Sequence, residues 1–210
     1  MDRMRGSGPR DRGSNPFGST ILELVPFLEP TPFFCLYTKL CCQLAMESNS
    51  PLILTLRLDE DAQHYFDELR AAHFPAGRNF LKAHLTLFHK LPDTRFVAEA
   101  LKSVNVPAFD LQVTGLMNLG AGVAYRLEST GLTDLHQTLS RRFNDLLSPQ
   151  DKQGFRPHIT IQNKTTPSAA KTLLTELTKD LQPFAVHAIG LDLWRYLGGP
   201  WAHKAHFVFS

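Results

Sequence analysis

Two ten-residue segments repeat one pattern, and the repeat constrains the fold more than any other feature of the chain. Leu81-Lys82-Ala83-His84-Leu85-Thr86-Leu87-Phe88-His89-Lys90 stands against Phe155-Arg156-Pro157-His158-Ile159-Thr160-Ile161-Gln162-Asn163-Lys164. Each reads basic, any residue, His, aliphatic, Thr, aliphatic, with a Lys six positions after the His. His-x-Thr occurring twice is unremarkable. Aliphatic residues on both sides of each Thr make the pair a roughly one-in-a-hundred event. In a strand, side chains alternate between faces, so Lys82, His84 and Thr86 share one face and Leu85 and Leu87 the other. The same parity groups Arg156, His158, Thr160 and Lys164 against Ile159 and Ile161. The aliphatic faces require a core, which leaves each His and Thr facing something wetter. The histidines lie 74 residues apart, about one lobe of structure, so two lobes each contribute one arm.

The intervening chain supplies the rest of those lobes. Strands are expected over 51–58, 79–88, 109–119, 122–129, 155–162, 185–196 and 203–209. Helices are expected over 59–74, near 93–103, over 133–147 and near 168–181. Gly120 to Gly122 suits a hairpin turn. Strands alternating with helices and hairpins predict an α+β domain, with mixed or antiparallel sheets.

The N-terminal part reads differently. Residues 1–20 are rich in Gly, Ser, Pro and Arg without apolar period, a composition of disorder. Pro26, Pro30 and Pro32 break any helix beyond, and Phe33–Met46 is too short to span a bilayer. The expected organisation is an extension over 1–48, with Met46 the start of the natural protein, followed by one bilobal domain over 49–210. All three cysteines, Cys35, Cys41 and Cys42, precede Met46. The remainder has no disulfide and no thiolate nucleophile, which fits a reducing cytoplasm. The net charge is +2 over 210 residues, too weak a field to hold nucleic acid in bulk, so a phosphate ligand needs a local cluster of cations.

Two imidazoles, two hydroxyls and several cations lining a groove suit a phosphodiester. Displacement at phosphorus needs a base for the attacking oxygen and an acid for the departing one, and imidazole serves as either near neutral pH. Threonine hydroxyls donate to non-bridging oxygens, and Lys or Arg offsets phosphate charge. No metal is needed.

His84-Leu85-Thr86-Leu87 and His158-Ile159-Thr160-Ile161 resemble the paired motifs of the two-histidine (2H) phosphoesterase superfamily. Their contexts, FLKAHLTLFHKLP and FRPHITIQNK, are most similar to its bacterial 2′-5′ RNA ligase and RNA 2′,3′-cyclic phosphodiesterase branch, over about residues 50–209. The resemblance implies a bilobal, pseudo-twofold fold with a central groove. It implies His84 and His158 as the acid and base pair, and Thr86 and Thr160 as phosphate ligands. Its substrates would be RNA 2′,3′-cyclic phosphate ends, small cyclic nucleotides or related 2′-phosphodiesters. Family members often carry a basic residue soon after the second motif; here Gln162 and Asn163 precede Lys164.

Substrate contacts are expected from Lys82, Arg126, Arg156 and Lys164 as cations and from Phe88 as a stacking surface, with Tyr125 and Trp194 as further aromatic candidates. His89 has the parity opposite to His84 and is peripheral. His203 and His206, three apart on a strand, make a poor metal pair. Walker A, G-x-S-x-G and G-x-G-x-x-G motifs are missing. The expected protein is therefore a monomeric, cofactor-free and metal-independent phosphodiesterase with no membrane association. Two alternatives use the same groove: reversible 2′-5′ RNA joining driven by the cyclic phosphate, and an RNA-binding module without turnover.

Overall fold

The structure is a computed structural model that describes residues 50–210. The readings placed on the N-terminal extension, its cysteines and Met46 lie outside the described residues. In chain order the elements are β1 (Leu52–Leu58), α1 (Glu60–His73), β2 (Leu85–Leu91), α2 (Arg95–Lys102), β3 (Phe109–Asn118), β4 (Val123–Glu128), α3 (Thr130–Arg142), β5 (His158–Gln162), α4 (Pro167–Asp180), β6 (Phe184–Tyr196) and β7 (Trp201–Val208). Single 3-10 turns follow α1 and α3. Among the described residues no helix is long and apolar enough to cross a membrane.

Side-chain caps set where the helices begin. Asp59, Thr94, Ser129 and Thr166 each accept a hydrogen bond from the backbone N–H three residues on, satisfying a donor that the first turn leaves unpaired. Ser129 starts α3 three residues before the apolar period suggests. Phe143 ends it, and Leu146 belongs to the following 3-10 turn.

All strand pairings are antiparallel, in the order β1-β2-β5-β4-β3-β6-β7, and β1 also pairs with β6. The long β6 organises the sheet. Its first part, from Phe184 to Ala188, pairs with β3, while its second, from Ala188 to Arg195, pairs with β1. One half of the sheet is thus β2-β1-β6-β7 and the other β5-β4-β3-β6. The halves meet again where β2 touches β5 at one register pair, Leu85 with Ile159. The expected α+β class is realised, but in place of two mixed or antiparallel sheets the strands form one seven-stranded antiparallel sheet, of which these are the two halves. Leu54, Leu85, Phe66, Leu127 and Ile159 share a single apolar core that runs through both.

Two strands begin later than their apolar runs. Residues 79–83 are held by side chains of α1 instead of a strand partner, so β2 starts at Leu85. Pro157 has no N–H to give a ladder, and β5 starts at His158. A bulge in β2 also breaks the expected alternation: Leu54 pairs with Phe88 but Thr55 with Thr86, leaving Leu87 as the extra residue. Leu87 and Phe88 both turn inward. Phe88 is fully buried between the rings of His136 and Phe143. It is a core residue and not the expected stacking surface.

The hairpin between β3 and β4 needs its glycines. Gly120 has φ +82, the left-handed region, and a Cβ on Gly122 would lie 2.0 Å from the Gln162 carbonyl oxygen. Since that neighbour is backbone, Gly122→Ala must push β4 off the end of β5. A loss of about 3 kcal/mol in unfolding free energy is expected from overpacking of this kind, measurable by chemical denaturation.

Candidate active site

The site is built on the β2–β5 contact. Leu85 and Ile159 are fully buried, so the residues on either side of each, His84 and Thr86, His158 and Thr160, project together from the opposite face. All four are partly exposed. One step either way from the Leu85–Ile159 pair, antiparallel register sets His84 beside Thr160 and Thr86 beside His158.

The two histidines are held identically. The His84 Nδ1–H donates to the Lys82 carbonyl oxygen at 2.7 Å, and the His158 Nδ1–H donates to the Arg156 carbonyl oxygen at 2.7 Å. A carbonyl oxygen only accepts, so each bond selects the Nδ1–H tautomer and leaves Nε2 free for chemistry. The surroundings of His84 also set its charge. Burial pushes its pKa down to about 4; its bond to Lys82 opposes this, while Arg70, His158 and His89 add to it by repulsion. His84 is therefore neutral at ordinary pH.

Side chains from one face of α1 hold the segment leading into His84. Gln63, Asp67 and Arg70 fall at helical spacing i, i+4, i+7. Asp67 accepts from the Ala83 N–H at 2.7 Å, and Gln63 donates to the Ala83 carbonyl oxygen at 2.9 Å. Arg70, only 5% exposed, donates to Asn79 Oδ1 at 2.9 Å, to the Leu81 carbonyl oxygen at 3.0 Å and to the Thr160 carbonyl oxygen at 2.8 Å. Its guanidinium also lies 4.0 Å over the Phe74 ring. One buried cation thus ties the His84 arm to the His158 arm.

The two sides of the site are unlike. Beside His84 lies a cavity of about 740 Å³, lined by Phe80, Lys82, Asp192, Trp194, Trp201 and His203 among others. The Trp201 ring is 4.6 Å from the His84 ring. Asp192 accepts from Arg57 at 3.5 Å and from His203 Nε2 at 3.1 Å. Beyond His158 is a smaller concavity of about 360 Å³, lined by Met117, Arg126, Leu127, Glu128, Arg156 and Pro157. Arg126 is the register partner of His158. Arg57, one step past the Leu56–Leu85 pair, stands in the matching place opposite His84.

The structure therefore brings together His84, Thr86, His158 and Thr160. It sets Lys82 at the larger cavity, 3.9 Å from Asp67, and Arg126 and Arg156 beside His158. Lys164 follows the end of β5 at φ 58 and lines neither concavity. Tyr125 is core. Sequence reasoning missed Arg57, Arg70, Asp192, Trp201 and His203. A second echo carried the signal for the first of these: Leu56-Arg57-Leu58 and Tyr125-Arg126-Leu127, on the strands that flank the two motifs.

Mirrored strands that each present a histidine with free Nε2 and a threonine two residues on define a two-histidine phosphoesterase site. The sequence agrees: the 2′-5′ RNA ligase superfamily model matches residues 58–200, and the chain belongs to that superfamily. Solved structures share the fold. LigT of E. coli in complex with 3′-AMP superposes with a TM-score of 0.53 at 17% identity, over 77% of this chain and 99% of that one. TT0787 of Thermus thermophilus gives 0.53 at 17%, over 75% and 97%. A further phosphoesterase gives 0.50 at 19%, over 77% and 99%. No curated protein matches the sequence.

Arg70→Met would leave the Leu81 and Thr160 carbonyls and Asn79 without their donor. Hydrogen bonds from a charged group contribute about 1.5–3 kcal/mol each and stranded buried acceptors add to the loss, so the expected destabilisation is at least about 3 kcal/mol, read by denaturant unfolding. Arg70→Lys, which keeps the charge but reaches fewer acceptors, should lose less.

Proposed function

We propose that this protein is a metal-independent phosphodiesterase that hydrolyses RNA 2′,3′-cyclic phosphate ends, with His84 as base and His158 as acid. The observation that carries the reading is the mirrored bond from each histidine to the backbone, which aims two Nε2 atoms from one face while burial holds one ring neutral. A neutral imidazole accepts a proton; a protonated one donates it.

In this reading the cyclic phosphate lies between the rings. His84 Nε2 takes a proton from water as its oxygen bonds to phosphorus. The bond from phosphorus to one ribose oxygen breaks, and His158 Nε2–H protonates that oxygen. The product is a phosphomonoester beside a free hydroxyl. The hydroxyls of Thr86 and Thr160 donate to the non-bridging oxygens, where charge accumulates in the transition state. E. coli LigT, similar in fold, is crystallised with 3′-AMP, a ribonucleoside monophosphate of this product class.

The cavity beside His84 favours a second reaction at the same site. At about 740 Å³ with two tryptophans and three histidines in its wall, it has room for a nucleoside on the side from which the nucleophile enters. An RNA 5′-hydroxyl in place of water would give a 2′-5′ linkage by the same proton transfers. A longer product, formed only when a 5′-hydroxyl oligonucleotide is present, would establish joining.

Turnover of an oligonucleotide 2′,3′-cyclic phosphate by the full-length protein is expected to persist in EDTA. His84→Ala and His158→Ala should each lower kcat about 10²–10⁴-fold with little change in melting temperature. Binding without turnover in the parent protein would favour an RNA-binding module instead. Because His84 titrates near 4, activity should hold as pH falls through 6.5, the ordinary histidine range, and decline only as His84 gains its proton near pH 4. An acid limb near 6.5 would remove His84 as the base.

A further inference from the structure

The concavity beyond His158 holds two guanidinium groups without partners. Among the described residues, the side chains of Arg126 and Arg156 make no hydrogen bond and no ion pair, whereas Arg57, in the matching place beside His84, is paired with Asp192. Both are exposed and both line the same concavity. Space is open around Arg126. Its register partner on β3 is Gly115, above which nothing lies within 4 Å. One carboxylate shares the concavity, Glu128, which accepts from the Thr114 hydroxyl at 3.2 Å. The lining therefore keeps an excess of positive charge directly beside one catalytic candidate, in a protein whose overall charge is small.

We infer that Arg126 and Arg156 form a second anion subsite, which holds the phosphodiester one step 5′ of the reacting nucleotide and makes the substrate an oligoribonucleotide rather than a mononucleotide. The inference rests on the proposed reading of the site. If His158 protonates the departing ribose oxygen, the ribose lies on the His158 side of phosphorus. The chain attached to that ribose then leaves across β4 and β5, over the two arginines. A guanidinium presents paired N–H donors to phosphate oxygens, and an unpaired one gains most from such a contact. Neutral flanking residues, Gly115, Met117 and Pro157, leave room for the sugar without adding competing charge.

The test compares binding to full-length protein, by isothermal titration calorimetry, of three uncleavable ligands: a ribonucleoside 3′-monophosphate, a diribonucleotide with a 3′-terminal phosphate, and that dinucleotide with a neutral methylphosphonate linkage. The dinucleotide should bind about tenfold more tightly than the mononucleotide, as expected for one charge-assisted contact. The methylphosphonate should lose that advantage, and the advantage should weaken with salt. Arg126→Gln and Arg156→Gln should each bring the ratio toward one; both side chains are exposed, so the fold is retained. Equal binding of all three ligands, or a ratio unchanged in both variants, overturns the subsite. A preserved ratio with no hydrolysis of the corresponding cyclic phosphates supports the subsite and overturns the phosphodiesterase reading instead.

Discussion

The architecture depends on a single place where β2 meets β5, with Leu85 packed against Ile159 in the shared core. Burying that aliphatic pair fixes which way every neighbour points, because side chains alternate and a one-residue slip would exchange the faces. His84, Thr86, His158 and Thr160 are consequently presented together. The long β6 makes the contact possible: by pairing first with β3 and then with β1, it closes the two halves of the sheet on each other.

Hydrophobic burial alone would not position two histidines. Residues 79–83 have no strand partner; Asp67 and Gln63 of α1 bond the Ala83 N–H and carbonyl oxygen, and Arg70 bonds the Leu81 carbonyl oxygen. Arg70 also reaches the Thr160 carbonyl oxygen, so one buried cation connects the two arms. Its charge acts on His84 and contributes to keeping that ring neutral. The group that holds the geometry therefore also shapes the proton chemistry.

The pseudo-twofold relation is close in the backbone and broken in the side chains. Each histidine bonds to the carbonyl two residues before it, and each has an arginine across the neighbouring strand. Beyond that the lobes diverge. Arg57 is neutralised by Asp192 in an aromatic cavity, while Arg126, beside Arg156 in an open one, has no ion-pair partner among the described residues. Such asymmetry suits a substrate with two different ends.

The sequence alone determined the fold class, the strands and helices in their order, and the four residues that the β2–β5 contact brings side by side. These are encoded locally, in period-two alternation and in a motif that repeats. It did not determine that Phe88 would be buried, because a bulge arises from the register of two strands and not from the residues of one. Nor did it assign Arg70, which reads as one more polar residue on an amphipathic helix until three acceptors converge on it. Trp201, Asp192 and His203 lie more than a hundred residues after His84 and reach it only because β6 and β7 fold back along β1. The histidine pair was legible because its chemistry repeats along the chain. Its electrostatics were decided by tertiary structure, since burial and opposing charge depend on what is packed in space.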